Sequence, residues 1–440
     1  TGSESQMDLL VKRLEQLKGF KYVIFGLRAL IENFVETGTK DSPSKVDIGP
    51  VNTIVSQNFY DKWRLRASAQ TTANLNPHWF GKGYYARGME SNENYYGAQL
   101  TYSLNKPGYL PREFPRRAVA FESTRDVAMP SDKYIRTDKD NMFTSFKIVE
   151  IDKMFLYDRQ SLSFDYEQEW GPKYFAEVKT EHVSPVGNIA LTPMSRSHDG
   201  GTPLPGIRYS EATVGVRYAP YETYINTKQH RWQLNFDAPV VRLQHTVGVK
   251  GMLGGQYNYN FTEGEIYKRF WMPMAWGKLG FRLKFGAQWN TVPYPLLIMP
   301  VANLGYILED ETFNLINNME FLNDRYVSLM ADWDFNGKIF NRIPLLRKLK
   351  WREFVSLKML WGELTDKNNP MLAANAGSDI VMAFPDGCYV MDKNRPYWEM
   401  SLGIHNIFKL LHVEYVRRLT YIGLPTATRH GVRFTFRASF

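Results

Sequence analysis

Long segments in which apolar and polar residues alternate constrain the fold of this 440-residue chain more than any other feature. Successive residues of a β-strand point to opposite faces, so a period of two predicts strands with one apolar and one polar face. The pattern is plain where Trp63 and Leu65 alternate with Arg64 and Arg66. From about residue 48 onward the chain is therefore expected to be all-β.

A soluble β-sandwich would alternate in the same way, but three features favour a membrane-spanning barrel. The segments run roughly 10 to 14 residues, which suits a tilted transmembrane strand better than a soluble strand of about 5–6. They recur without an intervening helical domain. The last segment also carries Phe434, Phe436 and Phe440, aromatic residues of the kind that barrel-assembly machinery reads in a C-terminal strand. We therefore expect a transmembrane antiparallel β-barrel.

The alternating segments predict about 16 strands, an even number as in single-chain bacterial barrels. They are 48–57, 61–73, 77–88, 94–105, 115–125, 160–170, 173–184, 208–219, 236–251, 256–270, 277–290, 325–337, 351–362, 397–406, 410–421 and 430–440. If the first strand begins and the last strand ends on the periplasmic side, the long connections at 126–159, 185–207, 291–324 and 363–396 all lie outside the cell. The even count requires that 313–321 be a loop.

The first part of the chain has a different period. Leu10, Leu14 and Leu17 recur at helical spacing within 7–36, which predicts a short amphipathic helix before the barrel. A polar linker follows at 37–46. We expect residues 1–46 to form a helix and linker in the periplasm or as a plug in the lumen, and residues 47–440 to form the barrel.

Composition is compatible with this class and excludes others. No run of about 18 uncharged apolar residues exists, so a membrane-spanning helix is not expected. Aromatic residues reach 15%, which suits the girdles at the two edges of a membrane barrel. The net charge of +9 is expected to meet lipopolysaccharide phosphates or to line the lumen, because no nucleic-acid-binding motif is present. The single Cys388 cannot form an internal disulfide.

Four stretches together resemble a Bacteroidota family. They are DIGPVNTIVSQNFYDKWRLRASAQTTANLNPHWFGKGYYARG from Asp47, VPYPLL at 292–297, FNLINNMEFLNDRYVSL at 313–329 and FNGKIFNRIPLLRKLKWRE at 335–353. Members join a carboxypeptidase-regulatory-like domain to a C-terminal outer-membrane barrel of uncharacterised function. The resemblance implies the cell outer membrane as the location.

The family is in turn distantly similar to the insertase and two-partner-secretion superfamily of 16-stranded barrels. In those barrels an external loop folds into the lumen and sets an arginine against an acid of the inner wall. The segment 291–324 corresponds in position to that loop. It contains no Val-Arg-Gly-Phe or Val-Arg-Gly-Tyr run, so the resemblance does not imply insertase activity.

Charged residues on the polar faces of the strands are the candidate site. We expect them to face the lumen, either as a hydrated wall whose charges pair across strands, or as a selectivity surface or acceptor for a re-entrant loop. These candidates are Asp165, Glu167, Glu169, Glu177, Lys179, Arg282, Lys284, Asp332, Asp334, Arg433 and Arg437.

No enzymatic motif is evident. The eight histidines do not show zinc-ligand spacing, and no nucleophile elbow, P-loop or dinucleotide fingerprint occurs. His182 beside Glu181 is the one pair that a hydrolase hypothesis could use. We therefore expect no catalytic residues, metal or cofactor.

Two connections are expected to make contacts outside the barrel. The segment 338–352 mixes aliphatic and basic residues, which fits an interfacial segment or a docking site for a periplasmic partner. Loop 363–396 is a candidate for surface interactions.

The sequence leaves three non-enzymatic functions open. The first is envelope biogenesis, in which the barrel handles the assembly or transit of other outer-membrane or surface proteins. The second is a passive or gated transporter, and the third is a subunit of a larger outer-membrane complex. The expected partners are outer-membrane lipid and lipopolysaccharide, the barrel-assembly machinery through the C-terminal strand, and other outer-membrane or periplasmic proteins, but not nucleic acid.

Overall fold

The computed structural model describes residues 25–26, 29, 31–197 and 200–437. The β-strands of these residues are β1 Val35–Glu36, β2 Val46–Ile48, β3 Val55–Asn58, β4 Lys62–Thr71, β5 Trp79–Gly88, β6 Asn94–Ser103, β7 Arg117–Ala128, β8 Lys153–Tyr166, β9 Lys173–Gly187, β10 Ile207–Tyr218, β11 Tyr224–Asn226, β12 Arg231–Gln233, β13 Val240–Gly248, β14 Tyr259–Trp271, β15 Lys278–Gln288, β16 Arg325–Asp334, β17 Arg352–Glu363, β18 Tyr397–Ile407, β19 Leu411–Arg418 and β20 His430–Phe436. Two short helices are α1 Met194–Ser197 and α2 Pro344–Leu349.

The strands form one antiparallel sheet in which neighbours follow chain order. β2 and β3 pair one after the other with β4 and together make the first barrel strand. From β4 to β20 each strand pairs with the next, except that β10 pairs with β13 and the hairpin β11–β12 stands apart. Among the described residues the sheet therefore contains sixteen barrel strands, which confirms the predicted all-β architecture and strand number.

The two faces of the sheet are inverted relative to a soluble protein. Trp63 is 48% exposed and Leu65 is 47% exposed, whereas Arg64 is fully buried. On β18 the apolar Met400 and Leu402 are exposed, while Glu399 is buried. Apolar side chains lie outside and charged side chains inside, which is the arrangement that lipid around a barrel requires. The chain is a transmembrane β-barrel.

The long connections distinguish the two ends of the barrel. The three longest, 129–152, 289–324 and 364–396, leave the strands at the same end, which we call the loop end. The opposite end, which we call the turn end, has mostly short turns. Its longer connections are 104–116, 335–351, which contains α2, and 219–239, whose hairpin β11–β12 packs under the barrel, where Arg231 donates to Glu167 at 2.7 Å.

β8 shows the largest difference from the predicted strands. It begins at Lys153 rather than residue 160 and ends at Tyr166 rather than residue 170. Alternation fails at the start of β8 because Phe155 is buried on the inner face among loop side chains, so that both faces are apolar there. Because β8 ends at Tyr166, Glu167 and Glu169 lie in the turn beyond it and not on its lumenal face.

The half of the lumen nearest the loop end is filled by closely packed apolar side chains. Side chains of the strand ends meet side chains of the connections there, in a cluster of Phe155, Val183, Leu191, Ile207, Tyr209, Tyr257, Tyr259, Val292, Tyr294, Leu297, Met319, Leu322, Leu364 and Met382. The lumen near the loop end is therefore filled by apolar side chains, which the prediction of a hydrated, charged wall did not include. Burial of these side chains fixes the inward loops on the barrel wall.

The predicted N-terminal helix lies largely outside the described residues. Residues 25, 26, 29, 31 and 32 are helical, and the chain is already extended at β1, which pairs with β2. None of the helices among the described residues has the length and apolar character needed to cross a bilayer.

Candidate functional site: two lumen loops and the strand seam

Several connections fold into the barrel from the loop end, and two of them form the candidate site. We call residues 289–324 the long lumen loop and residues 129–152 the short lumen loop. The segment 313–321 belongs to the long lumen loop and contains no strand, as the even strand count required. Their contacts with the wall, with each other and with the first and last strands define the candidate site.

A buried ion pair holds the long lumen loop to the wall. Glu320 of the loop and Arg418 of β19 are both fully buried, with 2.7 Å between Oε1 and Nη2. Arg418 also donates to the carbonyl oxygens of Leu315, Thr420 and Tyr421 at 3.1 Å each. Every branch of the guanidinium is thus engaged, as a buried cation requires.

The backbone of the same loop docks on charged groups of β18 and β20. The Glu399 carboxylate accepts the backbone N–H of Asn314 at 2.9 Å and that of Leu315 at 3.1 Å. Tyr397 donates its hydroxyl to the same carboxylate at 2.8 Å. From β20, Arg433 donates to the Asn314 carbonyl at 2.6 Å. Bonds to ionised groups of this kind are shorter and stronger than neutral ones.

Aromatic packing surrounds this polar docking. Phe321 packs edge-on against Tyr421 and tilted against Tyr397, with ring centroids 5.2 and 6.1 Å apart. Phe313 meets Tyr397 edge-on at 5.8 Å. The three ring pairs contribute beyond their buried area and exclude water from the Glu320–Arg418 pair.

A second buried cluster holds the short lumen loop on the wall at the other side of the seam, next to the first barrel strand. Arg64 of β4 donates to both carboxylate oxygens of Asp126 on β7, at 2.6 and 2.9 Å, and to Asp140 of the loop at 3.1 Å. Arg66 donates to the same Asp140 at 2.9 Å. Burial alone would raise the pKa of Asp140, but the charges of Lys139 and Arg64 lower it. Asp140 is therefore a carboxylate shared by two strand cations and a loop lysine.

The two lumen loops contact each other inside the barrel. Arg136 of the short loop donates to Glu311 of the long loop at 2.6 Å, and Thr137 donates to Glu309 at 2.8 Å. Lys284 of β15 also donates to Glu311 at 2.8 Å. Burial disfavours the charged form of Glu311, but the charges of Arg282, Lys284 and Arg136 outweigh it and lower the pKa to about 2.

The first and last barrel strands do not pair with each other among the described residues. Instead, the free edge of β20 bonds to the long lumen loop: the Phe434 carbonyl accepts the Leu308 N–H at 2.9 Å, and the Phe434 N–H donates to the Tyr306 carbonyl at 3.1 Å. Residue Ile307 lies beside Phe434 as a parallel bridge partner. The edge of the last strand is thus partly occupied by three loop residues.

The short lumen loop completes this bridge to the first strand. Its Ile148 N–H donates to the Leu304 carbonyl of the long loop at 2.8 Å. At the other side, Gln57 of β3 donates its N–H to the Ser145 hydroxyl at 3.2 Å. We call 142–148 and 304–308 the seam segments. They connect β3 to β20 across the gap where strands of a fully paired barrel would meet.

Below the long lumen loop, the turn-end half of the barrel contains a cavity of about 1270 Å³. Its roof is formed by Glu309, Asp310 and Glu311 of the loop, and its walls carry charges of both signs. Asp332 and Asp334 are among the wall residues. The loops thus separate a closed, apolar half of the lumen from an open, charged half.

The predicted basic residues of β15 and β20 all lie beside the long lumen loop. Arg282 and Lys284 contact Glu311, with 3.3 and 2.8 Å between the charged atoms. Arg433 contacts Asn314 as described, and Arg437 lies 3.4 Å from Asp310. The structure thus brings together cations of two strands that the sequence separates by about 150 positions.

The predicted acidic residues divide between strands and turns. Lys179 of β9 lies 3.4 Å from Glu181 and 3.3 Å from Glu211 of β10, a cross-strand network of the inner wall. Glu177 lies on the same face of β9 and is half-buried. Asp165 pairs with Arg116 at 3.1 Å. Asp334 accepts a hydrogen bond from His405 at 3.0 Å.

The aromatic residues of the last strand point outward. Phe434 and Phe436 are on the outer face of β20, with ring centroids 6.0 Å apart, and Phe436 is exposed. Phe440 lies outside the described residues.

His182 and Glu181 are adjacent in β9 and therefore project to opposite faces. Glu181 is buried against Arg159, so the two residues do not form a joint site.

Sequence reasoning missed the residues that anchor the loops, namely Arg64, Asp126, Asp140, Glu320, Glu399 and Arg418. Arg418 lies within a predicted strand and Glu320 within a stretch that carries the family resemblance. No local pattern pairs them, because the two residues lie 98 positions apart in the chain.

Taken together, these features define a class: a membrane-spanning β-barrel whose lumen and strand seam are filled by its own loops. The sequence matches the C-terminal domain of a family of unknown function, DUF5686, over residues 39–369. The chain belongs to that family. None of the curated protein sequences is significantly similar to it.

Several solved outer-membrane barrels are similar in structure. BamA from Haemophilus ducreyi lacking POTRA domains 1–3 aligns over 92% of this chain and 75% of its own length, with 8% identity and a TM-score of 0.49. CdiB from Acinetobacter baumannii aligns over 93% and 66%, with 10% identity and a TM-score of 0.40. CdiB from Escherichia coli aligns over 87% and 61%, with 8% identity and a TM-score of 0.44.

Proposed function

We propose that the protein is a non-enzymatic barrel of the bacterial outer membrane that serves envelope biogenesis, by assisting the assembly or transit of other outer-membrane or surface proteins. It does so alone or as a subunit of a larger outer-membrane complex. The loop end faces the outside and the turn end faces the periplasm. Lipid and lipopolysaccharide surround it, and the outward aromatics of β20 are offered to the barrel-assembly machinery.

The observation that carries the proposal is the seam. An unpaired strand edge is a template for another strand, and proteins normally cover such edges. Here β20 keeps its edge beside the membrane and covers it with Tyr306, Ile307 and Leu308. A client segment in extended form would replace these residues by adding a strand to β20.

The occupant of the seam is held more weakly than the rest of its loop. Two backbone hydrogen bonds join 306–308 to β20, whereas the neighbouring 312–321 is anchored by the buried Glu320–Arg418 pair and by Glu399. The seam segment can therefore leave the edge while the loop stays docked. This separation of a firm anchor from a weak cover is what a reversible opening needs.

A disulfide across the seam tests the proposal. Ile307→Cys with Phe434→Cys, in a Cys388→Ala background, places two thiols at bridge partners, where a disulfide is geometrically feasible. The variant replaces the wild-type protein in its native host. Under oxidising conditions we expect greater sensitivity to detergents and to large antibiotics and lower amounts of surface proteins, and reduction should reverse both effects.

The matched control is Thr213→Cys with Thr246→Cys, which links β10 and β13 at a pair that is already in register. It should leave envelope function unchanged. If the seam disulfide forms in most molecules and envelope function stays normal, the proposed role is wrong.

A gated transporter is the second candidate, and the 1270 Å³ cavity beneath the long lumen loop supports it. In that case, undocking of the loop should open a conducting path. Planar-bilayer recording of Glu320→Gln would then show channels that the wild-type barrel lacks. If both barrels are silent, this alternative is excluded.

A further inference from the structure

The turn end carries a basic and apolar surface that the proposed function does not use. We call residues 338–350 and the turn 408–410 the basic rim. Lys338 donates its ammonium group to the Met274 carbonyl at 2.7 Å and thereby ties the rim to the neighbouring connection. The remaining cations of the rim are exposed: Arg342, Arg347, Lys348, Lys350 and Lys409. None of these five forms an ion pair among the described residues.

Two carboxylates lie near the rim, and neither forms an ion pair with a cation of the rim among the described residues. Asp334 interacts with His405 inside the barrel, at 3.0 Å. Glu353 accepts the backbone N–H groups of Ile339 and Phe340 at 2.8 and 3.4 Å, which fixes the start of the rim. The rim is therefore an exposed patch in which six cations lie beside the single carboxylate of Glu353, and its net charge is positive.

Exposed apolar side chains lie among these cations. Leu345 and Leu349 are four residues apart in α2, so they share one helix face, and they are 66% and 44% exposed. Phe408, in the turn between β18 and β19, is 90% exposed. Ile339 and Ile343 are exposed as well. Water alone does not favour such a surface, which points to a partner that offers both apolar and anionic groups.

The rim continues the lipid-facing surface of the barrel. Above it, the outward residues Leu357 and Leu402 of β17 and β18 are exposed, and Trp271 at the end of β14 is exposed beside the same edge. The ends of transmembrane strands lie at the depth of the lipid headgroups, a region that stabilises aromatic and basic side chains. A soluble acidic protein would not account for this continuity.

We propose that the basic rim binds the phosphate groups of anionic phospholipids in the leaflet at the turn end. Arg342, Arg347, Lys348 and Lys350 contact the headgroups, and Leu345, Leu349 and Phe408 enter the upper acyl region. This contact fixes the depth and tilt of the β14–β19 side of the barrel. It is independent of the seam and of the proposed role in envelope biogenesis.

The test uses the full chain in a neutral detergent, titrated with short-chain phosphatidylglycerol or phosphatidylcholine and followed by native mass spectrometry. Phosphatidylglycerol should bind more tightly than phosphatidylcholine. The triple variant Arg347→Gln, Lys348→Gln and Lys350→Gln should weaken its binding roughly 100-fold, because each surface cation near an anionic leaflet changes the dissociation constant about fivefold.

Further variants distinguish an anionic lipid surface from a general effect of charge and from an acidic protein partner. The matched control, Lys250→Gln, Lys393→Gln and Arg429→Gln, removes the same charge from exposed positions at the loop end and should leave phosphatidylglycerol binding unchanged. Leu345→Ser with Leu349→Ser should weaken binding of the lipid but not of glycerol phosphate. Equal loss in the control, or unchanged binding in the triple variant, overturns the proposal. So does polyglutamate binding at the rim without phosphatidylglycerol binding, which would indicate an acidic protein partner.

Discussion

Replacement of Glu320 by Gln should release the long lumen loop from the barrel wall. The change leaves Arg418 buried and charged without its carboxylate, and removal of one partner of a buried pair costs about 3–5 kcal/mol. Arg418 keeps its three carbonyl acceptors, at Leu315, Thr420 and Tyr421, so we expect the lower value. A loss of about 3 kcal/mol raises the population of the undocked loop roughly 150-fold.

Hydrogen exchange measured by mass spectrometry, on the barrel in lipid nanodiscs, reports this population directly. Amides of 313–322 should exchange about 100-fold faster in Glu320→Gln. The exchange rate is proportional to the population of the locally opened loop, which the free energy of opening sets. Amides of β5 to β7 should be unchanged, since the barrel itself stays folded. The double variant Glu320→Gln with Arg418→Gln should be less destabilised than the sum of the single variants, because it leaves no unpaired charge.

A control in the same loop separates docking from a general effect of charge. Asp310→Asn removes the partner of Arg437, but that pair is 3.4 Å long and more than half exposed on both sides. Exposed pairs contribute little, so exchange in 313–322 should change by less than about fivefold. If Glu320→Gln behaves like Asp310→Asn, the buried pair does not anchor the loop.

Four further results are expected. Arg64→Gln removes the bidentate partner of Asp126 and one of the cations around Asp140, while Lys139 and Arg66 remain. The short lumen loop should therefore become more sensitive to protease and the free energy of unfolding should fall by about 3 kcal/mol; unchanged proteolysis would contradict this. The pKa of Glu311 is lowered from 4.5 to about 2, so its contribution to docking is complete above pH 4.5 and is lost as the pH falls towards 2. Exchange in the long lumen loop should accelerate over that range, and Glu311→Gln should remove the pH dependence. Burial raises the pKa of the Cys388 thiol to about 12, so at pH 7.5 it should react with maleimide on the order of 10³-fold more slowly than a cysteine at the exposed position of Asn394→Cys. Comparable rates would show that Cys388 is accessible. Deletion of 291–324 should impair envelope integrity while the barrel remains inserted, and a normal envelope would argue against a role for the loop.

The barrel could be predicted because lipid imposes a simple rule on each strand. Where a strand has lipid on one side and polar lumen on the other, as at Trp63 to Gln70, the period of two is regular and the sequence reveals it. The rule fails where the lumen is filled. Phe155 and Tyr157 face loop side chains, so the start of β8 is apolar on both faces and lacks the alternation that marks the other strands.

The site could be predicted only in part for a related reason. Arg282, Lys284, Arg433 and Arg437 stand out because they alternate with apolar residues in two predicted strands, and all four lie beside the long lumen loop. Arg418 looks like an ordinary strand residue, and Glu320 like an ordinary loop residue. Their pairing depends on where a 36-residue connection folds back, which is a matter of long-range packing and not of local pattern.

The occupied seam is the central feature of the barrel, and cysteine cross-linking in intact cells tests it most directly. In a Cys388→Ala background, Phe434→Cys is combined with Ile307→Cys or with a cysteine at Ser56, Gln57 or Asn58 of β3. Since 306–308 occupies the edge of β20, the pair with Ile307→Cys should form a disulfide in high yield, and the three pairs with β3 should not. Efficient cross-linking of β20 to β3, without cross-linking to Ile307→Cys, would show that the barrel closes by direct strand pairing and would contradict the occupied seam.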